Sequence, residues 1–168
     1  ASAALGQPIM DYAFEFEGPK MPFCPGLENA PRIVECPSHV VVHSKQLDLT
    51  LGDGGSVSAQ LLTDKIPAGC KIVDANVYLA VAHDESGDLT AELALQNANG
   101  THTGQLFANV CPGRSSIITT LDDDAVAPVG STCPAVGGTY TTNPLGGLDG
   151  FDGQSVQGTW TLTVKDTN

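Results

Sequence analysis

Residues 71–84, KIVDANVYLAVAHD, alternate without a break: Val73, Ala75, Val77, Leu79 and Val81 fall on one side, and Asp74, Asn76 and Tyr78 on the other. Successive side chains of an extended chain point to opposite faces, so this spacing suits a strand with one buried face and does not suit a helix. The pattern recurs in DLTAELALQ, with Leu89, Ala91, Leu93 and Leu95 inward. In GTWTLTV, Trp160, Leu162 and Val164 face one way and Thr159, Thr161 and Thr163 the other. VVVHSKQLDLTL, SVSAQLLT, GQLFANV and SSIITTL read as further strands with turns such as GDGG between them. Residues 122–158 read as a long irregular stretch rich in Gly, Pro and Asp. With 19 Gly and 11 Pro in 168 residues and no long run at helical period, the expected fold is all-β: an antiparallel β-sandwich or jelly roll in one domain.

The start of the chain is a puzzle within that scheme. In PIMDYAFEFEG, Tyr12, Phe14 and Phe16 alternate with Ala13, Glu15 and Glu17, which predicts a strand, yet the stretch stops at Gly18-Pro19. Residues 17–39 then hold five prolines and two cysteines and show no clean alternation. The expected organisation is therefore a strand segment over residues 1–17, a Pro- and Cys-rich linker over 18–39, and a β body over 40–168.

Composition narrows the partners. The formal charge is −12 with seven Lys and Arg, so no basic stripe is present to track nucleic acid or an anionic membrane surface. No apolar run is long enough for a membrane helix and no signal peptide is expected within these residues, while the small residues of ASAALG suit an end left by processing. The five cysteines show no C-x-x-C spacing, which argues against zinc. Proximity along the chain suggests Cys24–Cys36 and Cys111–Cys133 bridges in an oxidising, extracellular compartment, with Cys70 left as a small buried hydrophobe or a link between chains.

Taken in order, VYLAVAHDESGDLTAELALQNANGT, TTLDDDA, GTY and LDGFDGQSVQGTWTLTVKDT resemble the P domain (homo B domain) found beside subtilisin-like proprotein convertases and in many bacterial secreted proteins. His83, Gly87, Asp88, Leu89, Gly100 and Thr101 fill that family's His…Gly-Asp-Leu…Gly-Thr places, and Leu121-Asp122-Asp123-Asp124 matches its Phe-Asp-Asp-type loop. Phe151-Asp152-Gly153 and Gln157-Gly158-Thr159-Trp160-Thr161-Leu162-Thr163-Val164-Lys165-Asp166 match its Phe-Asn-Gly…Asn-Gly-Thr-Trp-x-Leu-x-Val-x-Asp block. The resemblance covers roughly residues 45–168 and implies a jelly-roll sandwich.

The family continues into a last strand of pattern Gly-x-Leu-x-x-Trp-x-Leu-x-Phe, whereas this sequence stops at Asn168. Ile9, Tyr12, Phe14 and Phe16 reproduce that spacing at the opposite end of the chain. Residues 6–17 are thus expected to be the displaced strand, received in a groove lined partly by Trp160, Leu162 and Val164. Burying the four side chains of the strand supplies on the order of 6–12 kcal/mol before entropy, so the strand is not expected to hang free.

Three arrangements satisfy it: insertion into the next copy as donor-strand complementation, folding back as a circular permutant, or excision from a tandem array. The Pro-rich linker favours the first, a head-to-tail homopolymer that forms an extracellular filament. The alternative is a monomeric accessory or binding module of a secreted hydrolase.

No catalytic constellation is expected. GGSVS lacks a nucleophile elbow, His83 reads as a structural hydrogen-bonding group, and His39 and His43 share one face of a strand as a solvated pair more readily than as metal ligands. The carboxylate loops suit calcium better: Asp84, Glu85 and Asp88 in one, Asp122, Asp123 and Asp124 in a second, Asp149 and Asp152 in a third. The expected ligands are Asp84, Asp88 and Asp122–Asp124. Asn99-Gly100-Thr101 is a glycosylation sequon in a turn, usable in a host with that machinery.

Overall fold

The computed structural model describes the backbone of residues 7–17 and, with side chains, residues 35–43 and 49–168. Among these, ten strands and two single 3-10 turns make an all-β fold in two sheets. The strands are β1 (Gln7–Glu17), β2 (His39–His43), β3 (Leu49–Leu51), β4 (Ser56–Leu62), β5 (Asp74–Val81), β6 (Leu89–Asn97), β7 (Gly100–Ala108), β8 (Ile117–Leu121), β9 (Ala135–Tyr140) and β10 (Thr159–Asp166). One sheet runs β2-β1-β5-β8-β9, with β3 also paired to β1; the other runs β4-β10-β6-β7.

The alternating stretches behave as their spacing demands. Val77, Leu79 and Val81 from the first sheet and Leu89, Leu93, Leu95, Trp160, Leu162 and Val164 from the second are buried in one shared cluster. Phe151 joins it with its ring centroid 5.2 Å from that of Trp160. Val73 departs from the expected pattern and is 53% exposed. Lys71 bridges to Ser155 and the Ile72 amide donates to the Gln154 carbonyl, so the chain is tied to residues 153–155 until Asp74, and Val73 sits on a bend before the strand.

Three further expectations are corrected. The stretch 122–158 is not wholly irregular, because β9 lies within it and pairs parallel to β8, which makes the first sheet mixed rather than antiparallel. Trp160, Leu162 and Val164 do not flank the N-terminal strand: β10 pairs with β4 and β6, while β1 pairs with β5 in the other sheet. Chain order does not assign sheet neighbours when successive strands cross between two sheets.

The Cys24–Cys36 bridge is replaced by Cys36–Cys70, with Cα atoms 5.4 Å apart; Cys24 lies outside the described residues. Cys70 is therefore half of a disulfide, because the segment entering β2 passes beside the segment entering β5. The second bridge joins Cys111 to Cys133.

Candidate functional site: a strand slot with an acidic rim

β1 is the first strand of the chain but an interior strand of its sheet. Eight of its residues pair antiparallel with β5, from Ile9 opposite Val81 to Glu17 opposite Asp74. On its other edge, Ala13–Glu17 pair with β2 and Gln7–Ile9 with β3. The rest of the first sheet therefore frames a slot one strand wide, with β5 as one wall and β2 and β3 as the other. The expected donor residues Ile9, Tyr12, Phe14 and Phe16 all lie on this strand.

The slot has a distinct end where Glu17 leaves it, because Asp74 opens β5 there and residues 122–124 follow β8. Asp74, Asp122 and Asp124 each present a carboxylate oxygen, all within 4.8 Å of one another. A cleft of about 130 Å³ beside them is also lined by Asp123, Asp149 and Asp152.

Each aspartate is placed by its local backbone. The Asp122 carboxylate accepts from the Asp124 amide at 2.8 Å, a self-bonded turn. Asp123 is fully engaged: one oxygen accepts from Thr142 Oγ1 at 2.9 Å and the other from the Leu148 and Asp149 amides at 2.7 and 3.0 Å. It pins residues 142–149 against the rim.

The remaining carboxylates feel the crowding. Burial first, then the charges of Asp122 and Asp124, raise the Asp74 pKa, and its hydrogen bond from Asn76 Nδ2 at 2.9 Å only partly offsets this. The neighbouring Asp123 charge raises Asp149, while burial and then the Asp149 charge raise Asp152. Asn76 Oδ1, beside Asp74, is buried without a hydrogen-bond partner among the described residues.

Asp84 and Asp88 do not belong to this group, since they follow the far end of β5. Asp84 is exposed, and Asp88 holds the last residues of the chain: its Oδ2 accepts from Asn168 Nδ2 at 3.1 Å and its carbonyl from the Thr167 amide at 2.8 Å. Glu85 Oε1 takes the Gly87 and Gly113 amides at 2.9 and 2.6 Å. His83 Nε2 lies 3.3 Å from Asp166 Oδ2, and its Nδ1 faces the Glu85 backbone, a structural role. His39 and His43 are exposed at the two ends of β2.

Asp74 was not among the expected metal ligands. Its signal was present only as the polar phase of an alternating strand, which by itself reads as a solvated face.

Comparison with protein-family models, curated proteins and solved structures finds no match. The two disulfides fit an oxidising compartment. Among the described residues no helix is long and apolar enough to cross a membrane.

Proposed function

We propose that this chain is a structural, non-enzymatic extracellular subunit whose body is a P-domain-like jelly-roll sandwich and whose N-terminal strand fills the slot of the next copy, building a head-to-tail filament. One observation carries the reading: the first strand of the chain occupies an interior place in the sheet, between β5 and the β2/β3 wall. A body deprived of it would present two unpaired edges facing each other, a template that pairs with any matching strand.

The linker has the reach this requires. Eighteen residues separate Glu17 from the bridged Cys36, and extended they span up to roughly 60 Å. The eight residues of β5 are about 26 Å long, so the linker can pass along a whole subunit to a copy stacked end on.

The intrachain pairing of β1 with β5 favours a second reading, a monomer whose strand folds home and which acts as an accessory or binding module. Light scattering and negative-stain microscopy of the native protein, with and without residues 1–17, separate the two. Filaments that vanish on truncation and leave aggregating subunits support strand donation. A full-length chain that remains monomeric at all concentrations overturns it.

Calcium is the cation proposed for the rim. Hard oxygen ligands converge at Asp74, Asp122 and Asp124, where burial and then the charges of Asp122 and Asp124 raise the Asp74 pKa. Glu17, the last residue of β1, is paired opposite Asp74, so a rim cation would sit where the inserted strand leaves the slot. Melting temperature measured with calcium and with a chelator tests this. Equal values in both overturn the assignment.

A further inference from the structure

The turn between β6 and β7 is built around the sequon Asn99-Gly100-Thr101, and all three residues are exposed. Of the seven asparagines in the chain, Asn99 alone is followed two places on by Ser or Thr. The turn is anchored from below, where Asn97 Nδ2 donates to the Ser155 carbonyl at 3.1 Å. Asn97 Oδ1 accepts from the Asn99 amide at 2.8 Å, which fixes the backbone of the turn. Gly100 has φ +125° and open space on the side where a Cβ would stand, so the tip projects clear of the body. The Asn99 side-chain amide has no hydrogen-bond partner among the described residues, in contrast to Asn109, whose Nδ2 donates to the Gly87 carbonyl and to Thr167.

The same tip adjoins an edge that the fold leaves open. β7 ends the second sheet. From Thr103 onward its outer side lies against residues 143–151: the Asn143 amide donates to the Leu106 carbonyl at 3.0 Å, Phe107 bridges to Asn143, and Gly104 and Gly147 pack so closely that neither has room for a side chain. Gly100, Thr101 and His102 make no such backbone hydrogen bond or bridge on that side among the described residues, although the His102 Nε2 is itself buried. β7, GTHTGQLFA, also contains no Lys, Arg, Asp, Glu or Pro, the residues that usually blunt an edge.

We propose that Asn99 carries an N-linked glycan and that this glycan shields the open start of β7 from edge-to-edge pairing. The donor is a sugar activated as a lipid-linked phosphate or diphosphate. Asn99 Nδ2 forms a bond to the anomeric carbon, the carbon–oxygen bond to phosphate breaks, the phosphate leaves with the lipid, and the amide proton passes to a base of the transferase. A modification at an exposed, anchored turn adds bulk without disturbing the core.

Mass spectrometry of protein purified from its natural source tests the proposal. The peptide containing Asn99 is expected to carry hexose and N-acetylhexosamine masses that disappear in Asn99→Gln and in Thr101→Val; an Asn99 peptide found only unmodified overturns it. Because the exposed Asn99 side chain makes no hydrogen bond among the described residues, Asn99→Gln should melt with the native chain while scattering more light at high concentration. Scattering unchanged from that of the glycosylated protein overturns the shielding role.

Discussion

The two ends of β5 carry comparable numbers of acidic residues and use them in opposite ways. At the Val81 end, Glu85 and Asp88 accept from backbone or side-chain N–H groups, and Asp166, 2% exposed, faces His83 and takes the Asn168 amide at 3.0 Å. At the Asp74 end Asp123 is fully engaged and Asp122 and Asp74 each accept a hydrogen bond, while crowding raises three pKa values: Asp74 through burial and the charges of Asp122 and Asp124, Asp149 through the Asp123 charge, and Asp152 through burial and the Asp149 charge. The difference shows that the donors around a carboxylate, rather than the local density of Asp and Glu, decide whether it is a structural clamp or an open ligand. The clamped end closes the loops around β5, and the crowded end lies where β1 leaves its slot.

The largest effect is expected from breaking the clamped end. Asp166→Ala removes a buried carboxylate that takes the Asn168 amide and lies 3.3 Å from His83 Nε2, and the loss of stability should approach about 3 kcal/mol, the scale of two hydrogen bonds to a carboxylate. Urea unfolding measures it. A loss near the ~1 kcal/mol of a surface pair would erase the contrast between the ends.

Within the crowded end, neighbouring residues should differ sharply. Asp123→Ala forfeits three hydrogen bonds to a carboxylate and should cost about 2–3 kcal/mol, whereas Asp124→Ala, one residue on, should stay within roughly 0.5 kcal/mol in the absence of metal. Equal losses for the two variants would mean that Asp123 is not the residue that pins the 142–149 segment.

The smallest effect has the opposite sign. Asp74→Asn removes a charge that burial and two neighbours disfavour, so it should stabilise the metal-free protein at neutral pH by about 0.5 kcal/mol. The pH dependence follows from the same shift. A folded pKa above the unfolded one means the native state binds more protons through that window, so the penalty is present at neutral pH and fades as pH falls through the carboxylate range. The gain from Asp74→Asn should therefore shrink on acidification, which thermal melts between neutral and acid pH will show. A gain that grows instead would assign Asp74 a favourable partner.

Much of the strand content was legible because alternation is a local property. Val77, Leu79 and Val81, and likewise Leu93, Leu95, Trp160, Leu162 and Val164, are buried as their spacing requires. β9 was illegible because AVGGTY carries two glycines at positive φ, Gly137 and Gly138, and alternates poorly. The start of β7 was missed because Gly100 and the polar residues after it look like a turn until β6 supplies their partners.

The candidate site divides in the same way. Asp122–Asp124 stood out as a run, but the convergence of Asp74 upon them depends on β5 lying beside β8, and the departure of Asp84 and Asp88 depends on the length of β5 between the two groups. The sequence by itself determined that the chain is built of strands, that it is strongly acidic, and that its first segment has the pattern of a strand. Only the tertiary structure decided that this segment lies between β5 and the β2/β3 wall, that Cys36 meets Cys70, and which aspartates share a cation-sized space. Alternation is written into neighbouring residues, whereas strand order, disulfide partners and charge clusters arise from contacts between residues far apart in the chain, and these exist only once the sheets have closed over a common core.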